Sequence, residues 1–251
     1  MNTPPSGFDL ASFDLERPER ALAVGAHPDD VEFWCGATLA RWSAQGTEVS
    51  HLICTDGSKG TWDPTADLEA LVLRRQDEQR EAARALGATG EVVFLGEVDG
   101  ELEASRDVIS RVAAAIRRLR PDVVLAHDPW KRYRLHPDHR IAGFLALDAI
   151  VAARDPHFFP EHELAPHRPT AVLLFEADEA NHLERADGVA LQARIAALEA
   201  HRSQFETTHF YRLADGDPRD EFRRRERQKL VDAATPFGEE MGEAFHLITD
   251  L

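Results

Sequence analysis

Two short stretches hold the residues most able to do chemistry. They are Ala26-His27-Pro28-Asp29-Asp30 and, much later in the chain, His136-Pro137-Asp138-His139. His27 and Asp30 are three apart across a turn stiffened by Pro28, so an imidazole and a carboxylate can face one point. His139 can supply a third ligand. Two histidines and one carboxylate leave a fourth position open for water, the pattern of catalytic rather than structural zinc. The same donors suit iron(II). Such an ion brings the pKa of its water towards about 7 and polarises a carbonyl. Asp29 adjoins a ligand but projects elsewhere, and can take the proton of that water as general base. His136 can stabilise an oxyanion or protonate a leaving amine. Asp138 is expected to hold His136 in one tautomer and orientation. Taken alone, His-Pro-Asp-Asp after a strand is more often a turn with an aspartate helix cap. Its pairing with a second His-Asp cluster tips the reading towards a metal.

The elements that must position these residues follow from the hydrophobic pattern. Residues 20–26, 47–55, 91–95, 122–126 and 170–175 read as strands, and 242–249 adds a last one. Residues 31–45, 68–86, 105–119, 138–153, 188–202 and 219–232 read as helices, two of them stopped by Gly46 and Gly87. This alternation implies an α/β fold, a Rossmann-like, mostly parallel sheet with helices on both faces. Ligands in such sheets bind outside the carboxyl ends of the strands. His27 to Asp30, Asp56-Gly57 and His127 to His139 all fall there. Residues 1–18 lack periodicity and are read as a partly ordered arm; 19–251 form a single domain.

Bulk properties remove several classes of function. With 45 acidic against 29 basic residues, a net charge of −16 repels nucleic acid and anionic lipid. No run approaches the about 18 to 20 apolar residues of a membrane span, and the N-terminus lacks a signal-peptide pattern. Cys35 and Cys54 lie in or beside apolar segments and read as buried free thiols of a cytoplasmic protein. A homo-oligomer stays open.

Further motifs, in order, are CGATLA at 35–40, TDGSKG at 55–60, the pair Arg75 and Glu78, HPDHR at 136–140, HRSQ at 201–204 and EAFHL at 243–247. With AHPDD, they make the chain resemble the LmbE-like (PIG-L) family of zinc-dependent N-acetylglucosaminyl deacetylases over roughly residues 20–250. The resemblance implies that His27, Asp30 and His139 are metal ligands, Asp29 the base and His136 the residue that assists the tetrahedral intermediate. It also places Tyr133 near a position where a tyrosine helps polarise the carbonyl. Two departures lie beside the motif: Val31 precedes Glu32 where many members have Glu directly, and Gly36-Ala37 replaces Gly-Gly.

The resemblance implies hydrolysis of an acetamide on a small amino-sugar substrate, with Arg75 holding the substrate. Asp56 either bonds sugar hydroxyls or only ends its strand. The alternative is an amidase or deacylase acting on a thiol conjugate, a lipid or an antibiotic glycoside. A large apolar pocket around Phe158-Phe159 would favour the bulkier acyl groups. A nucleotide-binding module is disfavoured, because the turn after the first strand offers carboxylates instead of phosphate-binding glycines.

Overall fold

The computed structural model describes residues 11–210 and 217–251. Its sheet centres on β2 (Arg20–Gly25). On one side lie β3 (Glu48–Thr55) and the edge strand β4 (Val92–Glu97). On the other lie β5 (Val123–His127) and β6 (Ala171–Phe175), all parallel to β2. The sheet then reverses: β8 (Gly242–Ile248) runs antiparallel to β6 and to β7 (His182–Arg185). The expected mostly parallel α/β sheet is therefore present. The sequence pattern did not reveal β7, whose four residues, HLER, are too short and polar to alternate visibly. Part of the expected N-terminal arm lies outside the described residues; within it, β1 (Ser12–Phe13) pairs with β7.

Strand residues alternate between two apolar layers, as the pleat requires. Leu22, Val24, Val124 and Ala126 face α3 (Arg106–Leu119) and α4 (Pro137–Arg154). Ala21, Ala23, Val123 and Leu125 face α1 (Asp30–Ala44), α2 (Leu68–Ala85) and α5 (Gly188–Ala200). Each fully buried Leu or Val contributes about 1.5–3 kcal/mol, so this two-sided burial dominates the fold. A further helix, α6 (Pro218–Ala234), packs beside β8. Cys35 and Cys54 are buried and unpaired with each other. Among the described residues, no helix is long and apolar enough to cross a membrane.

The first helix is not continuous. Cys35 has φ −141° and ψ 15°, which breaks α1 after its first turn. The freed carbonyls of Glu32 and Phe33 accept from the Arg194 guanidinium at 3.2 and 2.7 Å. Beyond the break, the amides of Ala37 and Thr38 donate to the Glu243 carboxylate at 3.0 and 2.8 Å. Two buried side chains from α5 and β8 thus replace the missing helix bonds, as buried backbone groups demand.

Candidate metal centre

Chain order reverses between β2 and β5, because the path from β2 goes first to β3 and β4 and then returns to β5. The crevice at such a switch point lies at the carboxyl ends of the two strands. The loop after β2 carries His27 and Asp29, and α1 opens with Asp30. β5 ends in His127, and His139 projects from the first turn of α4. The turn after β2 is held by the His27 amide, which donates to Asp30 Oδ2 at 2.8 Å.

His27, Asp30 and His139 converge. His27 Nδ1 lies 3.4 Å from Asp30 Oδ2, His139 Nε2 lies 3.2 Å from His27 Nδ1, and His139 Nε2 lies 3.4 Å from Asp30 Oδ1. Ligand atoms about 2.0–2.1 Å from one tetrahedral ion are separated by about 3.3 Å, so these donors could hold a small divalent cation. Burial pushes the Asp30 carboxyl up, but His139, His127 and His27 outweigh it and hold it well below the usual range. An ionised carboxylate is the form that ligates. Arg134 Nη1 lies 2.8 Å from His139 Nδ1. A guanidinium only donates, so a cation on Nε2 requires this contact to open, because Nδ1 then carries the ring proton.

A second layer orients these donors. His27 Nε2, on the ring edge away from the centre, lies 3.1 Å from Asp138 Oδ2 and 3.3 Å from Asp99 Oδ1. Asp138 is fully buried and also accepts from the amides of Gly100 and Leu102 at 2.6 and 3.2 Å. The sequence assigned Asp138 to His136; the structure gives it to His27 instead. The reason is geometric. Positions two apart on a helical turn do not face each other, and Asp138 points inward while His136 sits at the exposed helix cap. Asp99 escaped the sequence reading, although Asp99-Gly100 is an Asp-Gly turn at a strand's carboxyl end, the same signal that drew notice to Asp56-Gly57. His127, at the carboxyl end of β5, bridges Asp30 Oδ2 and Glu176 Oε2, each at 3.2 Å.

Asp29 is set apart by its backbone, with φ 100° and ψ −21°. A left-handed conformation in a residue with a β-carbon is strained and clusters at functional sites. The Asp29 carboxyl lines the central cavity. Burial raises its pKa to about 6 against the opposing pull of Arg75 and His201. Arg75 Nη2 lies 3.7 Å from Asp29 Oδ2. Arg75 reaches the cavity wall, but its hydrogen bonds run to the carbonyls of Gly57, at 2.9 Å, and Pro28, at 2.6 Å. Gly57 (φ 66°) and Gly60 leave room for it, since a β-carbon on either would overlap the guanidinium. Glu78 accepts from the Ser203 amide and hydroxyl at 3.0 and 2.6 Å, which ties HRSQ to α2.

The cavity has a volume of about 440 Å³. Its floor carries His27, Asp29, Asp30 and His139; His136 stands at one side, with its ring centroid 4.5 Å from that of His27. Phe33, Trp34 and Trp62 give it aromatic walls, and Thr61, Thr207 and Thr208 give it hydroxyls. Tyr133 and Asp56, expected in or beside the site, are placed elsewhere, and so is the Phe158-Phe159 pair. Tyr133 is 92% exposed and does not line the cavity. Asp56 accepts from the amides of Ser58 and Asp99 at 2.9 and 3.1 Å, a turn-closing role outside the lining. Phe159 is buried against Arg106 and His162, and neither it nor Phe158 reaches the cavity.

The chain is similar to proteins of known activity. The family described as PIG-L: GlcNAc-PI de-N-acetylase matches residues 22–150. A diacetylchitobiose deacetylase of Thermococcus kodakarensis is 35% identical over 190 residues, covering 74% of this chain and 70% of the relative. A 1D-myo-inositol 2-acetamido-2-deoxy-alpha-D-glucopyranoside deacetylase of Streptomyces avermitilis is 33% identical over 57% of this chain and 56% of its own. Among solved structures, the N,N'-diacetylchitobiose deacetylase from Pyrococcus horikoshii, complexed with its inhibitor MPG, superposes with a TM-score of 0.81. It is 29% identical over 92% of this chain and 84% of its own. The match to half the chain and the extent of these relatives agree with the convergence of both histidine motifs at one switch point, and the chain belongs to the PIG-L family.

Proposed function

We propose that the protein is a metal-dependent N-deacetylase that hydrolyses the acetamide of an N-acetylglucosamine-type substrate. The observation that supports this best is the triangle of His27, Asp30 and His139 donors in the same cavity as Asp29 and His136. Zinc suits two imidazoles and one carboxylate, and iron(II) suits the same set. An ion held there would supply Lewis-acid polarisation of the amide carbonyl and a water of lowered pKa.

The chain's own residues carry the rest. Asp29 takes the proton of the attacking water as its oxygen bonds to the carbonyl carbon. His136 faces the developing oxyanion and passes a proton to the departing amine, so acetate and a free amino sugar leave. Asp138 and Asp99 keep His27 turned with Nδ1 inward, and His127 does the same for Asp30. Phe33, Trp34 and Trp62 offer flat faces to a sugar ring, and the threonine hydroxyls offer hydrogen bonds. Arg75 acts on the substrate through the loop and the Asp29 carboxyl it supports. The buried free thiols suit a reducing compartment, which favours the cytoplasm.

The test is acetate release from a panel of N-acetylglucosamine glycosides, with metal analysis of the protein and of its Asp29→Ala variant. Metal-dependent release that disappears in the variant is the expected result. Bound metal with no acetate from any glycoside would overturn the substrate assignment and leave amidase action on thiol conjugates or longer acyl groups.

A further inference from the structure

We propose that Gln79, backed by the buried Glu32, is a positioning residue that holds Asp29 in its strained conformation and so keeps its carboxylate aimed into the cavity. The proposal rests on the reading of Asp29 as the base.

A left-handed aspartate is strained and persists only when its surroundings over-determine it. Here the constraint falls on one peptide unit, between Pro28 and Asp29. Its carbonyl, on Pro28, accepts from Arg75 Nη2 at 2.6 Å. Its amide, on Asp29, donates to Gln79 Oε1 at 3.0 Å. Arg75 and Gln79 are one helical turn apart on α2, so they share a face and grip the peptide from both ends. Turning that peptide over is the rotation that would move Asp29 to an ordinary φ, and it would break both bonds at once.

Gln79 is itself fixed. It is fully buried, and its Nε2 donates to Glu32 Oε1 at 2.7 Å and to His51 Nδ1 at 3.2 Å. Its amide orientation is unambiguous on chemical grounds: the Asp29 N–H needs an oxygen and the Glu32 carboxylate needs a nitrogen. Glu32 is also fully buried, and His201 Nε2 lies 3.3 Å from its other oxygen. A buried carboxylate is retained at a cost unless it is paired and hydrogen-bonded. Gln79 of α2 donates to one Glu32 oxygen, His201 at the start of the HRSQ segment stands beside the other, and His51 of β3 accepts from the same Gln79 amide group, so three elements converge around the one amide behind Asp29.

The experiment is a four-variant comparison: Gln79→Met, Glu32→Gln, Gln79→Glu and the swap Glu32→Gln with Gln79→Glu. Two quantities are read: steady-state kinetics with the metal-loaded protein, and hydrogen exchange of the Asp29 amide, which needs no substrate. Gln79→Met should keep its metal and KM, lose kcat by about 100-fold, and exchange the Asp29 amide about tenfold faster. Gln79→Glu alone sets two carboxylates together and should be the least stable. The swap restores an acceptor for Asp29 and a donor for it at position 32, and should recover most of both losses, which general destabilisation would not do. Wild-type exchange in Gln79→Met, or a swap no better than its single variants, would overturn the proposal. Asp29→Asn separates the two readings. If it still turns over, the base assignment falls; if it is inactive while Gln79→Met turns over normally, the clamp falls.

Discussion

Asp138 Oδ2 stands 3.1 Å from His27 Nε2, on the side of the imidazole opposite the nitrogen that faces Asp30 and His139. A carboxylate there fixes which nitrogen bears the proton and makes the other a better donor. Asp138→Asn is close in shape but neutral, and should weaken metal binding by about 10- to 100-fold. Competition against a chromophoric chelator measures this, and an unchanged affinity would mean that His27 is oriented by other groups.

Replacing Asp29 with Asn removes a proton acceptor without removing volume. Turnover should fall by about a hundred- to ten-thousand-fold while metal content stays at the wild-type level. His139→Ala should show the reverse signature, with metal lost first. Unchanged metal content in that variant would remove His139 from the ligand set.

The splice in α1 predicts a stability effect far from the chemistry. Glu243 accepts from the Ala37 and Thr38 amides and from the Thr38 hydroxyl, the last at 2.6 Å, and is 4% exposed. Glu243→Ala strands those donors and should cost about 3 kcal/mol in urea unfolding. A loss near zero would show that the break is held by Arg194 alone.

His209 gives a pH dependence of stability. Its ring lies 5.0 Å from that of Phe33 and 5.2 Å from that of Phe222. Burial, aided by His201, lowers its pKa from 6.5 to about 3. The unfolded chain therefore binds a proton that the folded chain refuses between these values. The contribution is fully present above pH 6.5 and is lost as pH falls towards 3, by about 1.4 kcal/mol per pH unit. His209→Phe should flatten the change in urea midpoint between pH 7 and pH 5; the wild-type slope in the variant would place the titration elsewhere.

How much could be read from the chain depended on how local each signal was. The convergence of His27, Asp30 and His139 was legible because short spacing and strand ends together limit where such side chains can point. Asp99 was missed, although it obeys the same strand-end rule, because a lone Asp-Gly is common in turns. Asp138 was assigned to His136 because the two are close along the chain, whereas helical geometry turns it towards His27. Gln79 carries no signal among the many polar residues of the helix LEALVLRRQDEQREAARA, and only the packing of α2 against the loop after β2 buries it. Arg194 was silent for the same reason, and Glu243, although it opens the EAFHL motif, gave no hint of its role, since the helix break they repair leaves no mark in the hydrophobic pattern.

That repair bears on what could be moved between proteins. The family match ends at residue 150, and His27, Asp30 and His139 all lie before it. The first half of the chain therefore looks portable, a cassette with its chemistry complete. Yet the turn that presents Asp30 is severed from the rest of its own helix and sutured by residues 194 and 243. A graft of the first half onto a foreign sheet would carry the donors and leave the suture behind. Chimeras should therefore work only when their junctions travel with both stitches.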